Sequence, residues 1–202
     1  LHANPDPWFG GRAPEPIGKH LGELSRFVRT KRCQLGIAND GDADSIGLVG
    51  PDGAFINPGQ ILCVLLDHLI RTRKWQGGVV KTVSNTSMID RMCKDIGLPL
   101  TETKVGFKYI ASKMLEGSVI IGGEESGGIG VRGYLPERDG VFIGLLVLEA
   151  MAEQRKSFIE ILRGLQKRYG RWFYDRRDLT VPMDRSGRLF EQLTKTPPAA
   201  LA

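Results

Sequence analysis

The sequence predicts a layered α/β protein, on three observations. Short β-branched runs alternate with stretches of helical length. Gly, Pro and Asn-Asp clusters separate them at nearly every change. Two of the apolar runs end directly in loops dense with glycine and carboxylates.

The elements follow in order. Residues 1–18 are rich in Pro and Gly and read as an extended loop. Leu21 to Val28 has helical spacing, and Cys33 to Ala38 is a short apolar strand. That strand runs into Asn39-Asp40-Gly41-Asp42-Ala43-Asp44, and Ile46 to Val49 is a second strand ending at the turn Gly50-Pro51-Asp52-Gly53. Asn57 is placed to cap a helix that Pro58 opens and that continues to Trp75. Gly78 to Val83 is a strand, and Thr86 to Ile96 a helix stopped by Gly97. Leu100 to Thr103 is a short strand, followed by Phe107, Ile110, Ala111, Met114 and Leu115 on one helical face. Ser118 to Ile121 is a strand, and Val141 to Ala152 a strongly apolar helix. Ser157 and Glu160 make a capping box for a helix to Tyr169. Leu179 to Val181 suggests a last strand, and the pattern fades after Arg188. The turn at 50–53 is the expected boundary between a short leading segment and a complete domain.

Composition narrows the function classes. At 202 residues the chain can bury a sizeable core. Its best candidate for a membrane span, Ile61 to Ile70, is broken by Asp67 and His68 and is far short of the roughly 18 residues such a span needs, so no membrane is expected. No basic region followed by an apolar stretch marks a secretory signal. Leu1 is not a natural start, so a chain that begins mid-protein is expected. Cys33, Cys63 and Cys93 are widely spaced, which argues for free thiols in a reducing cytoplasmic setting rather than a disulfide frame or zinc knuckle. Residues 1–150 hold 17 basic and 17 acidic side chains, while 151–202 hold 11 and 6 and so carry the whole net charge of +5. The basic end lacks aromatic residues interleaved for base stacking, so no nucleic acid is expected.

Two loops carry chemistry. Asp40, Asp42 and Asp44 alternate on a Gly-containing turn, where their carboxylates can converge. Three carboxylates that close repel one another unless a cation joins them, and hard oxygen donors suit Mg²⁺ or Ca²⁺. An EF-hand would need Gly where Ser45 stands and Glu where Pro51 stands, so that reading fails. A plain solvated turn is the alternative. The second loop, Gly122-Gly123-Glu124-Glu125-Ser126-Gly127-Gly128, offers close backbone approach, carboxylates and a hydroxyl, which suit a polyol better than a phosphate. An ordinary flexible loop is the competing reading.

Together and in this order, the loops resemble those of the α-D-phosphohexomutases, the phosphoglucomutase/phosphomannomutase family. The family's D-G-D-x-D-R metal loop is matched by Asp40-Gly41-Asp42-Ala43-Asp44-Ser45, and its G-E-x-S-G sugar loop by Gly123-Glu124-Glu125-Ser126-Gly127. Pro5-Asp6-Pro7-Trp8-Phe9-Gly10-Gly11, Val79-Val80-Lys81-Thr82, Val105-Gly106-Phe107-Lys108 and Pro136-Glu137-Arg138-Asp139-Gly140 match further. The resemblance spans about residues 4–182. It implies a mixed sheet with helices on both faces, of the family's third-domain type, plus a short part of a preceding similar domain.

The resemblance implies an enzyme that interconverts hexose 1-phosphate and hexose 6-phosphate through a phosphoserine, with glucose 1,6-bisphosphate as activator and intermediate and Mg²⁺ on Asp40, Asp42 and Asp44. Glu124 and Ser126 would read sugar hydroxyls, with Gly106, Phe107 and Lys108 lining the sugar site. Lys81, and less directly Arg138, would be cations or acid/base groups near phosphate. Residues 1–50 would end the second domain, 51–170 form the third, and 171–202 lead into the fourth. The partners are then a hexose phosphate and the remaining domains of the same polypeptide. Three departures stand out: no Thr-x-Ser-His nucleophile stretch, no Arg-x-Ser-Gly-Thr phosphate loop, and Ser45 in place of an Arg. The isolated chain is therefore expected to be inactive. The rival readings are a HAD-type phosphatase with an Asp nucleophile at 40 or 42, and a degenerate sugar-phosphate-binding module.

Overall fold

The computed structural model of the chain describes residues 1–176 and 180–195. They fall into two units, Leu1–Trp172 and Phe173–Ala202. In the first unit, single 3₁₀ turns at Phe9–Gly11 and Gly18–His20 punctuate the leading coil before helix α1 (Gly22–Lys31). Strands β1 (Gly36–Asn39), β2 (Ile46–Val49) and β3 (Phe55–Ile56) then pair antiparallel in the order β1-β2-β3. The acidic loop is thus the turn of the β1–β2 hairpin.

A second sheet is built from β4 (Gly78–Thr82), β5 (Leu100–Thr103), β6 (Val119–Gly123) and β7 (Ile129–Val131), in the order β5-β4-β6-β7. β4 pairs parallel with β5 and β6, and β7 closes the edge antiparallel to β6, so the sheet is mixed. Between Gly78 and Val79 the register on β6 jumps from Val119 to Ile121, so Ile120 is an extra residue on that strand. Helices α2 (Pro58–Arg71), α3 (Met88–Ile96), α5 (Gly140–Gln154) and α6 (Phe158–Tyr169) join one large core with Val79, Ile121, Ile129 and Val131. On the other face, α4 (Phe107–Leu115) packs Phe107, Ile110 and Met114 against Val80 and Val119. Helices therefore cover both faces, and burial of this apolar surface is the main stabilising term.

The expected caps are present. Asn57 and Gln60 exchange backbone-to-side-chain bonds of 3.1 Å each, and Ser157 and Glu160 form the second capping box. Gly97 ends α3 at φ 69°. Asp139 caps α5 by accepting from the Phe142 N–H at 2.7 Å. Among the described residues no helix is long and apolar enough to cross a membrane, and Cys33, Cys63 and Cys93 are free thiols.

The second unit corrects one expectation. Leu179 lies outside the described residues, and Thr180 and Val181 adopt no strand. Met183–Lys195 is instead a helix, α7, past the point where the pattern was expected to fade. Leu189, Phe190 and Leu193 stand at helical intervals there, a signal diluted by the charged residues around them. The strand expected from Cys33 starts only at Gly36, and the helix expected to run to Trp75 stops at Arg71.

Candidate functional site

The site lies where loops leave the C-terminal ends of β1, β5 and β6, the end at which open α/β sheets commonly bind ligands. After β1 the chain turns sharply through Ala43, at φ 60°, and its N–H closes on the Asp40 carbonyl at 3.3 Å. One oxygen from each of Asp40, Asp42 and Asp44 then lies within 4.8 Å of the others. Asp42 is exposed, and Asp40 and Asp44 are half-buried, so the cluster opens to one side. Ser45 shapes it from below: its N–H donates to Asp40 Oδ1 at 2.9 Å and its hydroxyl to Asp44 Oδ1 at 2.8 Å. Asn39 Nδ2 steadies the turn by donating to the Ser45 carbonyl at 3.0 Å. Burial pushes the Asp44 carboxyl up; the Ser45 hydroxyl and the Arg138 guanidinium pull it down, and Asp40 adds repulsion. Three hard oxygen donors on an open turn fit a small divalent cation such as Mg²⁺.

The glycine-rich loop comes to the same place. Ser45 and Gly128 form an antiparallel bridge, and the Ile46 N–H donates to the Gly127 carbonyl at 3.1 Å. Gly127, at φ 111°, must be glycine: a Cβ there would stand 2.6 Å from the Ile46 carbonyl oxygen. Glu124 is buried, and its Oε1 accepts the Gly106 N–H at 2.9 Å. Burial raises the Glu124 carboxyl, opposed by that N–H and by Arg138. Ser126 stands exposed at the loop tip. The loop is tied to the end of β4, where Asn85 Nδ2 donates to the Gly123 carbonyl and the Ser84 hydroxyl to Glu125, both at 2.9 Å.

Arg138 joins the two loops. Its Nη2 is 2.5 Å from Asp44 Oδ2, its Nη1 is 4.0 Å from Glu124 Oε2, and its guanidinium sits 5.6 Å over the Phe107 ring. Of the residues singled out from sequence, the structure brings together Asp40, Asp42, Asp44, Gly106, Phe107, Glu124 and Arg138. Phe107 enters as a buried floor, not as an exposed wall. Lys108 is exposed on the first turn of α4, 5.1 Å from the Tyr109 ring. Lys81 is engaged by two carboxylates. Its ammonium is buried, 2.7 Å from Asp90 Oδ2 and 3.4 Å from Glu102 Oε2. From the sequence Ser45 reads only as a lost charge, whereas in the fold it organises the acidic loop. A serine directly after the last Asp of such a turn was the available signal.

This frame, a mixed sheet with an acidic hairpin turn set against a Gly-Glu-x-Ser-Gly loop, defines a class. The family model for phosphoglucomutase/phosphomannomutase, alpha/beta/alpha domain III, matches residues 57–169, and the model for domain II matches residues 1–53. The chain belongs to the phosphoglucomutase/phosphomannomutase family. It is 31% identical over 169 residues to a phosphoglucomutase/phosphomannomutase of Thermococcus kodakarensis, covering 84% of this chain and 37% of that protein. It is 35% identical over 144 residues to a phosphoglucosamine mutase of Marinomonas sp., covering 71% of this chain and 32% of that one. A crystal structure of a candidate phosphomannomutase from Thermus thermophilus superposes with a TM-score of 0.78 at 41% identity, covering 83% of this chain and 38% of that chain. The chain thus spans between 30% and 37% of the length of the curated relatives it matches.

Proposed function

We propose that this chain is part of a phosphohexomutase that interconverts hexose 1-phosphate and hexose 6-phosphate by way of a phosphoserine and a hexose bisphosphate. Residues 1–50 are read as the end of a second domain, 51–170 as the third and 171–202 as the lead into a fourth. The observation that carries the reading is the bridge between Ser45 and Gly128, which sets three carboxylates beside a polyol-binding loop. Phosphate transfer next to sugar recognition needs those two chemistries side by side.

In this reading Asp40, Asp42 and Asp44 hold Mg²⁺, which when bound supplies charge neutralisation to the transferring phosphoryl group. Arg138 adds a guanidinium that can pair with phosphate oxygens. The Glu124 carboxylate accepts hydrogen bonds from sugar hydroxyls, Ser126 adds an exposed hydroxyl, and the Gly106–Phe107 corner holds Glu124 in place. Lys108, exposed and directly after Phe107, is read as a cation for a substrate phosphate. Lys81 is the weakest member of the set, because two carboxylates already satisfy its charge. The hexose stays open among the glucose, mannose and glucosamine phosphates that the relatives' names cover.

No Thr-x-Ser-His stretch stands in these 202 residues, so the chain alone is expected not to turn over. The test is a coupled assay of the pure chain with glucose 1-phosphate, Mg²⁺ and a trace of glucose 1,6-bisphosphate, beside a working mutase. Activity above the blank would overturn the partial-enzyme reading. Calorimetry with the same sugar phosphate and the Glu124→Ala variant then asks whether the loop binds sugar. Binding that survives the substitution undiminished would remove Glu124 from the site.

A further inference from the structure

Both oxygens of Asp44 are engaged. Oδ1 accepts the Ser45 hydroxyl at 2.8 Å, and Oδ2 meets Arg138 Nη2 at 2.5 Å. Asp40 is different: its Oδ1 takes the Ser45 N–H, a neutral donor that leaves its charge unpaired with any cation among the described residues. A divalent ion taken up by the three aspartates would therefore meet a guanidinium already on one of its ligands. Arg138 has a second anion within reach, Glu124 Oε2 at 4.0 Å, and a third in its own neighbour Glu137 at 3.4 Å. Its path between the loops runs over Phe107 and past Gly128. A Cβ at 128 would stand 2.3 Å from Arg138 Cδ and 3.2 Å from Glu124 Oε2. The corridor exists because residue 128 has no side chain.

We propose that Arg138 is a competing cation which couples the two loops. It neutralises Asp44 when the loop holds no divalent ion. Uptake of an ion by Asp40, Asp42 and Asp44 releases it toward Glu124, whose other oxygen holds the Gly106 N–H. This inference rests on the metal reading proposed above, and it adds that ion uptake at one loop is felt at the other through a single side chain. Coupling of this kind is reciprocal: whatever draws Arg138 onto Glu124, or onto a phosphate, also favours ion binding at the aspartates.

The test is a Mg²⁺ titration of the whole chain followed by amide NMR, with two reporters already in place. The Ser45 N–H, bonded to Asp40, reads the metal loop, and the Gly106 N–H, bonded to Glu124, reads the other. In the native chain both should shift along one isotherm. In Arg138→Gln the Ser45 isotherm should tighten about two- to fivefold, the worth of a partly exposed ion pair, and Gly106 should fall silent. Gly128→Ala keeps every charge but sets a Cβ 2.3 Å from Arg138 Cδ as it now lies, which displaces the guanidinium from Asp44, and should act in the same direction. Unchanged Mg²⁺ affinity in Arg138→Gln, or a Gly106 shift that persists there, overturns the coupling while leaving the metal site standing. Tightening in Arg138→Gln but not in Gly128→Ala would reduce the effect to through-space charge and also overturn it. A native chain whose Ser45 amide ignores Mg²⁺ overturns the metal reading, and the coupling with it.

Discussion

Replacing Lys81 by methionine should leave the protein close to native stability, whereas alanine at the same place should cost about 2–5 kcal/mol. The difference follows from where each part of the side chain lies. The Lys81 side chain is 2% exposed, and its ammonium meets Asp90 and Glu102, which are 45% and 50% exposed. Removing one member of a fully buried pair costs about 3–5 kcal/mol, because the survivor keeps an uncompensated buried charge. Asp90 Oδ2 is buried at that contact, but both carboxylate side chains are partly exposed and rotation brings them to water, so that penalty is largely absent. Methionine keeps the length and apolar volume of the stem, and its loss should stay within about 1.5 kcal/mol, as for other volume-conserving swaps. Alanine opens a cavity on the α2–α3 side of the sheet. For a unit of this size each kcal/mol moves the melting temperature by about 2–4 °C. Thermal melts of the two variants should therefore separate clearly, with Lys81→Met near the native curve. Equal losses in both would refute the reasoning, since the ammonium and not the stem would then be what the fold needs. In a complete mutase, Lys81→Met with native stability and lost turnover would keep Lys81 in the phosphate-handling set, and native turnover would remove it.

Further outcomes are expected. Glu124 has its folded pKa raised from 4.5, chiefly by burial, so its contribution to stability is present at low pH and is lost as pH rises through the folded value. Glu124→Gln cannot ionise, and should gain on the native chain between about pH 4 and about pH 7 in urea melts; a gap that narrows with pH contradicts this. Ser45→Ala removes the hydroxyl bond to Asp44 and should cost about 1–2 kcal/mol, read as a lower urea midpoint with unchanged slope. Gly47→Ala would put a methyl 2.0 Å from the Pro16 carbonyl oxygen, against backbone that cannot swing aside. It should destabilise by about 3 kcal/mol, and a native melting curve would show that Pro16 does not lie against Gly47 of β2.

Much of this was legible because the signals are local. The capping residues Asn57, Ser157 and Glu160, the stop at Gly97 and the single apolar face of α4 act within one or two helical turns. β3 and β7 were not legible, since two and three residues carry almost no period. The two loops could be read as separate chemistries, but their meeting depends on the Ser45–Gly128 bridge, a contact between distant segments that neither segment encodes alone. Lys81 shows the same limit. Alternation along β4 says which residues share a face; it does not say that α3 brings Asp90 over that face. Arg138 sits just before the α5 cap, and only the folded chain shows that it reaches both Asp44 and Glu124.

The extra residue in β6 has a consequence for how this site can change. Beyond Ile120 every side-chain direction is inverted relative to an unbulged strand. Gly122 therefore faces Ile110 of α4 and Gly123 faces Leu62 of α2. Glu124 inherits its aim from that phase. Whether its carboxylate meets Gly106 is thus decided by counting residues along a buried strand, not by the chemistry of the loop. Loop substitutions can retune what the site holds, while a one-residue deletion in β6 would turn the site inside out.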